Sequence, residues 1–512
     1  MSQPPAQPDP FARVVHRFAT AGKLTAAQAM LSWDSQTHMP RAGAWARGQQ
    51  MAALTEVSAE LIGGEAVDGE LSEAEEMASR LEPEEQADLR EMRRTWVHAA
   101  AVPKALQARK ASMAQELQAI WTRAKPENDF KSFAGPFGDL LDVQREIAAA
   151  KAEALQTTAY GALMDEFDPG VGEALVDPIF ADLAETLPPL IAEVLERQAA
   201  WAAPVPYPPS PVERQAALSH RLALAVGHDP NAFRIDSAPH PFSVPHSPGD
   251  VRFTTRYDED DVRFSIMATL HEAGHAMYEA NLPRAFAFRP VGMARGATVH
   301  ESQSLSLEMM AGRSREFLQH LAPLMAEVLG GPPEPYGLTN VLNATRRLDD
   351  GFIRVEADEI SYPLHVILRY RIERALLSGD LPVADLPTAW DDMFEEMFGR
   401  RPPNLAKGCL QDIHWSLGYF GYFPNYAMGA LLAAQLFERA TADDAEILPS
   451  LARGDFEPYF AWVRPRVHAR ASLVSFSELV SEATGAPLSA AAFKRHVRRR
   501  YLEEPAPATE QR

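Results

Sequence analysis

The sequence predicts an all-α, mainly helical protein on three observations. Ala, Leu and Met recur at three-and-four spacing over long stretches, alternating β-branched runs are scarce, and an apolar content of 46% supplies a large core. The helical period first shows at residues 24 to 31 and again through 47 to 64. Residues 72 to 122 are rich in Ala, Glu, Leu and Arg and read as two or three antiparallel helices. Residues 201 to 215, WAAPVPYPPSPVERQ, form a Pro-dense connector. It separates an N-terminal helical half, to about residue 200, from a half at about 215 to 502 in which His and aromatic residues crowd together. We expect 1–502 to form one unit whose halves flank a single cleft. A short β element is predicted only at 251–257 (VRFTTRY), where apolar and polar residues partly alternate. The Pro- and Glu-rich stretch 503–512 is expected to be a disordered tail.

Charge and cysteine usage narrow the function classes. The 49 Lys and Arg against 70 Asp and Glu give a net charge of −21, a poor match for nucleic acid, whose binding draws on cationic side chains. No run of 18 apolar residues suggests a membrane span. The polar, Pro-rich beginning lacks the pattern of a signal or transit peptide. Cys409 is the single cysteine, so an intrachain disulfide and a multi-cysteine metal site are both excluded. A buried structural thiol is the reading for Cys409, and the cytoplasm is the expected compartment.

The chemistry is concentrated in FSIMATLHEAGHAMYEANLP, where His271, Glu272 and His275 spell H-E-x-x-H within a helical pattern that Asn281 and Pro283 stop. Residues at i and i+4 share a helix face, so both imidazoles reach one metal ion while Glu272 projects beside them. Zn²⁺ is the favoured occupant, with Co²⁺ or Mn²⁺ as substitutes, because two imidazoles and a carboxylate make a tetrahedral site with one open position. The small Ala273 and Gly274 are expected to leave room for substrate above the helix. A catalytic site needs a third protein ligand, and Glu301 in GATVHESQSLSLEMMAG is the best candidate. Thr298 to Glu301 also fits a capping box, and the spacing alone leaves these two readings open. His300 could ligate instead, but neighbouring helical residues point about 100° apart, so only one of the pair faces the ion.

At these residues the chain resembles the carboxypeptidase Taq family of zinc metallopeptidases. The family pairs H-E-x-x-H with H-E-S-Q, here His300-Glu301-Ser302-Gln303, and the resemblance implies Glu301 as the third ligand. It carries H-P-F, here His240-Pro241-Phe242, and D-x-R-x-T, here Asp250 to Thr254 with Arg252 at its centre. I-R-x-x-A-D stands as Ile353 to Asp358, and G-x-x-Q-D-x-H-W as Gly408 to Trp415. The stretch LSWDSQTHMPRAGAWARGQQ (31 to 50) extends the likeness to nearly the whole chain. Tyr419, in place of a usual small residue, and Ser306-Leu307-Glu308-Met309, in place of a more polar run, depart from the pattern and bear on the shape of the cleft. The resemblance implies a helical fold with a deep cleft, similar to the neurolysin and angiotensin-converting enzyme architecture, and a homodimer.

The expected activity is release of C-terminal amino acids from peptides, with broad specificity, by a metal-activated water and Glu272 as general base. Tyr422 and His414 are candidates to stabilise the oxyanion, although a Tyr in YFGYFPNY also fits core packing. A free carboxylate is best read by Arg, with Arg354 the first choice and Arg252 the second. Either could instead sit in an ion pair with Asp358 or Asp250. His240 either lines the substrate channel or packs at a turn. Asp412, Asp358 and Glu308 compete to orient a ligand imidazole, and Asp412 is also a candidate to orient His414. Internal cleavage by a zinc endopeptidase and a non-catalytic scaffold are the competing classes.

Overall fold

The computed structural model describes residues 9–245, 248–348 and 351–505, and among them the chain is overwhelmingly helical. The first helix, Pro10–Gln36, starts where its pattern allows: Asp9 accepts from the Ala12 amide at 2.9 Å, and Pro10 occupies a position whose amide needs no partner. The region 72–122 resolves into the end of Glu65–Glu76, then Pro83–Ala100 with a Glu82/Glu85 capping box, then most of Lys104–Glu127. A small cluster that includes Phe11, Val14, Phe18, Val67, Leu71 and Met92 ties the first helices together. The main core runs from Val102 to Tyr501 without a break at the 201–215 connector, so residues on both sides of that connector pack into one interior. No helix among the described residues is long and apolar enough to cross a membrane.

Among the described residues two strands are present where one was expected. β1 (Phe233–Ser237) pairs in parallel with β2 (Val251–Thr255), in a register that sets Phe233 against Val251 and Ser237 against Thr255. In β1, Phe233 and Ile235 alternate with Arg234 and Asp236, a signal present in the sequence but only five residues long. Ser243 adds an antiparallel bridge to Phe253, which lays the His240-Pro241-Phe242 turn along β2.

Residues 503–505 of the expected tail are described, and they are anchored. Arg499–Glu503 continues the last helix as a π turn, Arg346 Nη1 reaches the Glu504 carboxylate at 2.5 Å, and Arg197 donates to the carbonyls of Tyr501 and Glu504, each at 2.6 Å. One ion pair and two guanidinium–carbonyl hydrogen bonds therefore tie this segment down, and the remainder of the predicted tail, 506–512, lies outside the described residues.

The Val262–Asn281 helix, which carries H-E-x-x-H, packs against the Gly296–Leu305 helix at a distance only glycine permits. A Cβ added at Gly274 would stand 2.4 Å from the Gln303 carbonyl oxygen and 2.7 Å from the Ser304 Cα. A Cβ at Gly429, on the Pro424–Asp443 helix, would stand 2.7 Å from both Cβ and Cγ of Glu301. Gly274 thus makes room for backbone rather than for substrate, which corrects the sequence expectation. Ala273 is likewise fully buried, and its carbonyl faces His228 Nε2 at 3.2 Å.

Gly274→Ala should lower unfolding stability by about 2 kcal/mol, as overpacking does. Ala is the better helix former by about 1 kcal/mol, so a net loss in denaturant unfolding reports the helix contact. An unchanged or raised midpoint would contradict it.

Candidate metal centre

His271, His275 and Glu301 converge. Their ligand atoms all lie within 4.8 Å of one another, with His275 Nε2 at 3.4 Å and His271 Nε2 at 3.8 Å from Glu301 Oε2. Ligands about 2.1 Å from a tetrahedral ion stand about 3.4 Å apart, so the trio has the dimensions of a metal site. The Gly296–Leu305 helix begins at Arg295 with no side-chain cap, and Glu301 is not folded back to Thr298. Of the two readings open in the sequence, the geometry therefore has Glu301 facing the imidazoles. His300 points elsewhere: its Nδ1 is 2.6 Å from His275 Nδ1 and its Nε2 is 3.0 Å from Glu279 Oε1.

These partners fix which ring nitrogen offers a lone pair. Glu308 Oε2 lies 2.9 Å from His271 Nδ1, which donates to it, so Nε2 is the nitrogen that faces Glu301 and would ligate once a cation displaces its proton. His300 donates from Nε2 to Glu279, so its Nδ1 accepts from His275 Nδ1, and His275 Nε2 presents a lone pair. Two imidazole Nε2 atoms and a carboxylate oxygen turned toward one point form a donor set that suits a divalent cation. The electrostatics agree. Burial opposes ionisation of Glu301, yet His271 and His275 bring its carboxyl down to about 2. Burial would lower His271, but Glu301, Glu308 and Glu272 outweigh it and lift the imidazole to about 10, the mark of a place that favours positive charge.

Glu308, one of the sequence candidates to orient a ligand imidazole, takes that place on His271 through a π turn that was not anticipated. Beyond Leu305 the helix widens into a π turn, Ser306–Ala311, and this turn carries Glu308 to His271. Arg313 Nη2 holds the other carboxylate oxygen at 2.7 Å. Arg500, from the C-terminal π turn, donates to the carbonyls of Met309 at 2.6 Å and Met310 at 2.8 Å, and also pairs with Glu359. The C-terminus therefore braces the segment that orients a candidate ligand. Glu272 is buried beside the trio. Ser243 Oγ lies 2.8 Å from its carboxylate and 2.9 Å from its own backbone carbonyl, so the single hydroxyl proton goes to one of the two. Ser243 follows the H-P-F motif and was overlooked in the sequence because nothing local marks it.

A second wall gathers the remaining candidates. Arg354 is buried, and its Nε and Nη2 reach Asp412 Oδ1 at 3.2 and 3.1 Å. The other oxygen, Oδ2, takes Arg369 Nε at 2.7 Å and Nη2 at 2.5 Å. Asp412 thus hydrogen-bonds two guanidiniums and faces His414 Nδ1 only at 4.0 Å, and Asp358 accepts from the Ile360 and Ser361 amides instead of pairing with Arg354. His414 Nε2 lies 3.3 Å from Tyr426 Oη, and burial pushes the imidazole down to about 4 against the pull of Asp412, so it is neutral near pH 7. Tyr422 packs edge-on against Tyr426 and Phe167. The neighbouring Tyr426 and burial keep the Tyr422 phenol protonated, burial does the same for Tyr426 and Tyr362, and the negative charge of Glu301 adds to all three; Tyr426 and Tyr362 were not anticipated.

Arg252 and His240 stand apart from this wall. Arg252 holds Asp250 through Nε and Nη2, both at 2.8 Å, and lies over the Trp33 ring at 4.2 Å, docking the first helix onto β2. His240 is exposed at the turn, its carbonyl 3.5 Å from Thr254 Oγ1. Cys409 is buried, and burial pushes its thiol up to about 12, which makes it inert.

The loop bearing His414 and Tyr422 hangs on Glu373. This buried carboxylate accepts from Tyr160 Oη at 2.7 Å, Trp415 Nε1 at 2.9 Å and the Gly421 amide at 2.9 Å. Burial raises its carboxyl to about 7 in spite of those donors. A raised acid favours the fold most below its unfolded value of 4.5, and that contribution is lost as pH climbs through about 7. Wild-type stability measured against Glu373→Gln should therefore fall by about 3 kcal/mol across that interval and level off above it; a pH-independent difference would count against this. Glu308→Ala should weaken Zn²⁺ binding by about 10- to 100-fold in chelator competition, whereas an unchanged affinity would deny it the orienting role.

The comparisons with known proteins fall in line with the site. The family profile described as Carboxypeptidase Taq (M32) metallopeptidase matches residues 13–501. Thermostable carboxypeptidase 1 of Thermus thermophilus is 34% identical over 487 residues, covering 93% of this chain and 95% of that protein. Carboxypeptidase 1 of Bacillus subtilis is 32% identical, covering 90% and 92%. The solved structure of Trypanosoma cruzi metallocarboxypeptidase 1 superposes with a TM-score of 0.94 at 35% identity, covering 96% of this chain and 99% of the other. With its helical fold and a trio able to hold a metal, the chain belongs to the carboxypeptidase Taq (M32) family and is a metallocarboxypeptidase.

Proposed function

We propose that this enzyme removes C-terminal residues from peptides with broad specificity, using one Zn²⁺ held by His271, His275 and Glu301 and Glu272 as general base. The observation that carries the reading is the convergence of two imidazole nitrogens and one carboxylate oxygen beside a second carboxylate, that of Glu272, which stands outside the trio. When bound, an ion of this kind makes water acidic enough to attack at neutral pH and polarises the scissile carbonyl. Co²⁺ or Mn²⁺ would suit the same donors.

Glu272 accepts the proton of the attacking water at a carboxylate oxygen and returns it to the departing amine. Ser243 steadies that carboxylate through its hydroxyl. Tyr422 donates its phenolic proton as a hydrogen bond to the developing oxyanion, and neutral His414 supports it from the adjoining wall. Arg354 receives the free carboxylate of the substrate. Asp412 neutralises only one of the two guanidiniums it holds, so one positive charge remains for that task. Arg252 and His240, on the strand side, contribute to the approach of the peptide. The two halves of the chain flank the cleft, and we expect a homodimer in the cytoplasm.

Internal cleavage would use the same centre, and the difference lies in whether a terminal carboxylate is read. A peptide and its C-terminal amide should differ in kcat/KM by at least about 100-fold, the loss of one charged partner. Equal cleavage of the amide would favour an endopeptidase. Glu272→Gln should reduce kcat by at least about 100-fold with metal content unchanged, and retained activity would remove Glu272 as the base.

A further inference from the structure

A cavity of about 450 Å³ opens among the Pro83–Ala100, Lys104–Glu127 and Phe130–Leu155 helices, a volume typical of small-molecule sites. Its walls combine apolar Val102, Ile147 and Leu417 with Lys110, Lys151 and Glu166. Lys151 Nζ pairs with Glu166 Oε2. Lys110 is half-buried and makes no hydrogen bond or ion pair among the described residues. On a chain of net charge −21, a desolvated ammonium with no partner is a local exception that an anion would relieve. Burial lowers the Lys110 ammonium below the ordinary lysine range, with Glu166 opposing and Lys151 adding to the push. Glu166 Oε1 carries no hydrogen bond among the described residues, so an acceptor for a cationic group stands close to the unpaired cation.

We infer that this cavity binds a free amino acid with an apolar side chain, its carboxylate on Lys110, its α-ammonium on Glu166 and its side chain against Val102, Ile147 and Leu417. Free amino acids are the product class of a carboxypeptidase. Leu417 ends the short His414–Leu417 turn, so the cavity shares a wall with the segment carrying His414. The site stands on residues outside the metal centre and does not depend on how that centre works.

The test is calorimetric binding of L-leucine, L-leucinamide and 4-methylpentanoate to the metal-loaded full chain and to its Lys110→Met and Glu166→Gln variants. Leucine should bind with a component weakened at least tenfold by Lys110→Met and at least threefold by Glu166→Gln, while both variants keep wild-type kcat/KM on a peptide. Leucinamide and 4-methylpentanoate should each bind at least tenfold more weakly than leucine. Unchanged leucine binding in Lys110→Met overturns the assignment, as does equal binding of the amide or of the acid that lacks the ammonium. A defect in peptide hydrolysis caused by Glu272→Gln, with leucine binding intact, would concern the metal centre alone.

Discussion

The site depends on one steric constraint, the contact between the helix bearing His271 and His275 and the helix bearing Glu301. Ligands on separate helices meet at one ion only if the helix axes approach closely, and here the Gly274 backbone lies directly on Gln303 and Ser304. A third helix closes the arrangement from the other side, where Gly429 leaves space for the aliphatic stem of Glu301. These two glycines act through their lack of a Cβ in regular helices rather than through unusual backbone angles. The intrinsic cost of glycine in a helix is accepted at both positions so that the carboxylate can reach the imidazoles.

The surroundings of the trio set protonation and direction. Each imidazole is held through Nδ1, one by a carboxylate and one by a neighbouring ring that itself leans on a carboxylate, so both present Nε2 toward Glu301. The π turn does in one step what a regular helix would not: it rotates Glu308 toward His271 and frees carbonyls that Arg500 then satisfies. Residues 191 positions apart are thereby joined, and the C-terminal helix becomes part of the support of the centre. Buried charge is tolerated because each buried carboxylate of this network meets a cationic or hydrogen-bonding partner.

Across the site the organisation is different. Asp412 divides its two oxygens between Arg354 and Arg369, and the aromatic rings of Phe423 and Tyr426 lie under the guanidinium of Arg354. The result is a rigid positive wall with a neutral imidazole and phenols beside it. Glu373 fastens the loop that presents them through Tyr160, Trp415 and the Gly421 amide. One wall thus collects negative charge around three candidate ligands and the other offers positive charge and neutral donors.

What the sequence determined by itself was local in origin. The helical class, the i and i+4 placement of His271 and His275 and the end of their helix after Asn281 all follow from spacing within a few turns. The family motifs named Glu301, which spacing alone left balanced against a cap. Tertiary structure decided the rest, because the answer lay in residues far apart along the chain. It assigned Gly274 to helix contact, Asp412 to two arginines, Arg252 to Trp33, Ser243 to Glu272, and Glu504 to Arg346. The physical reason is common to all of them: a charged or small residue takes its role from the partner that packing brings to it, and a linear pattern records the residue but not the partner.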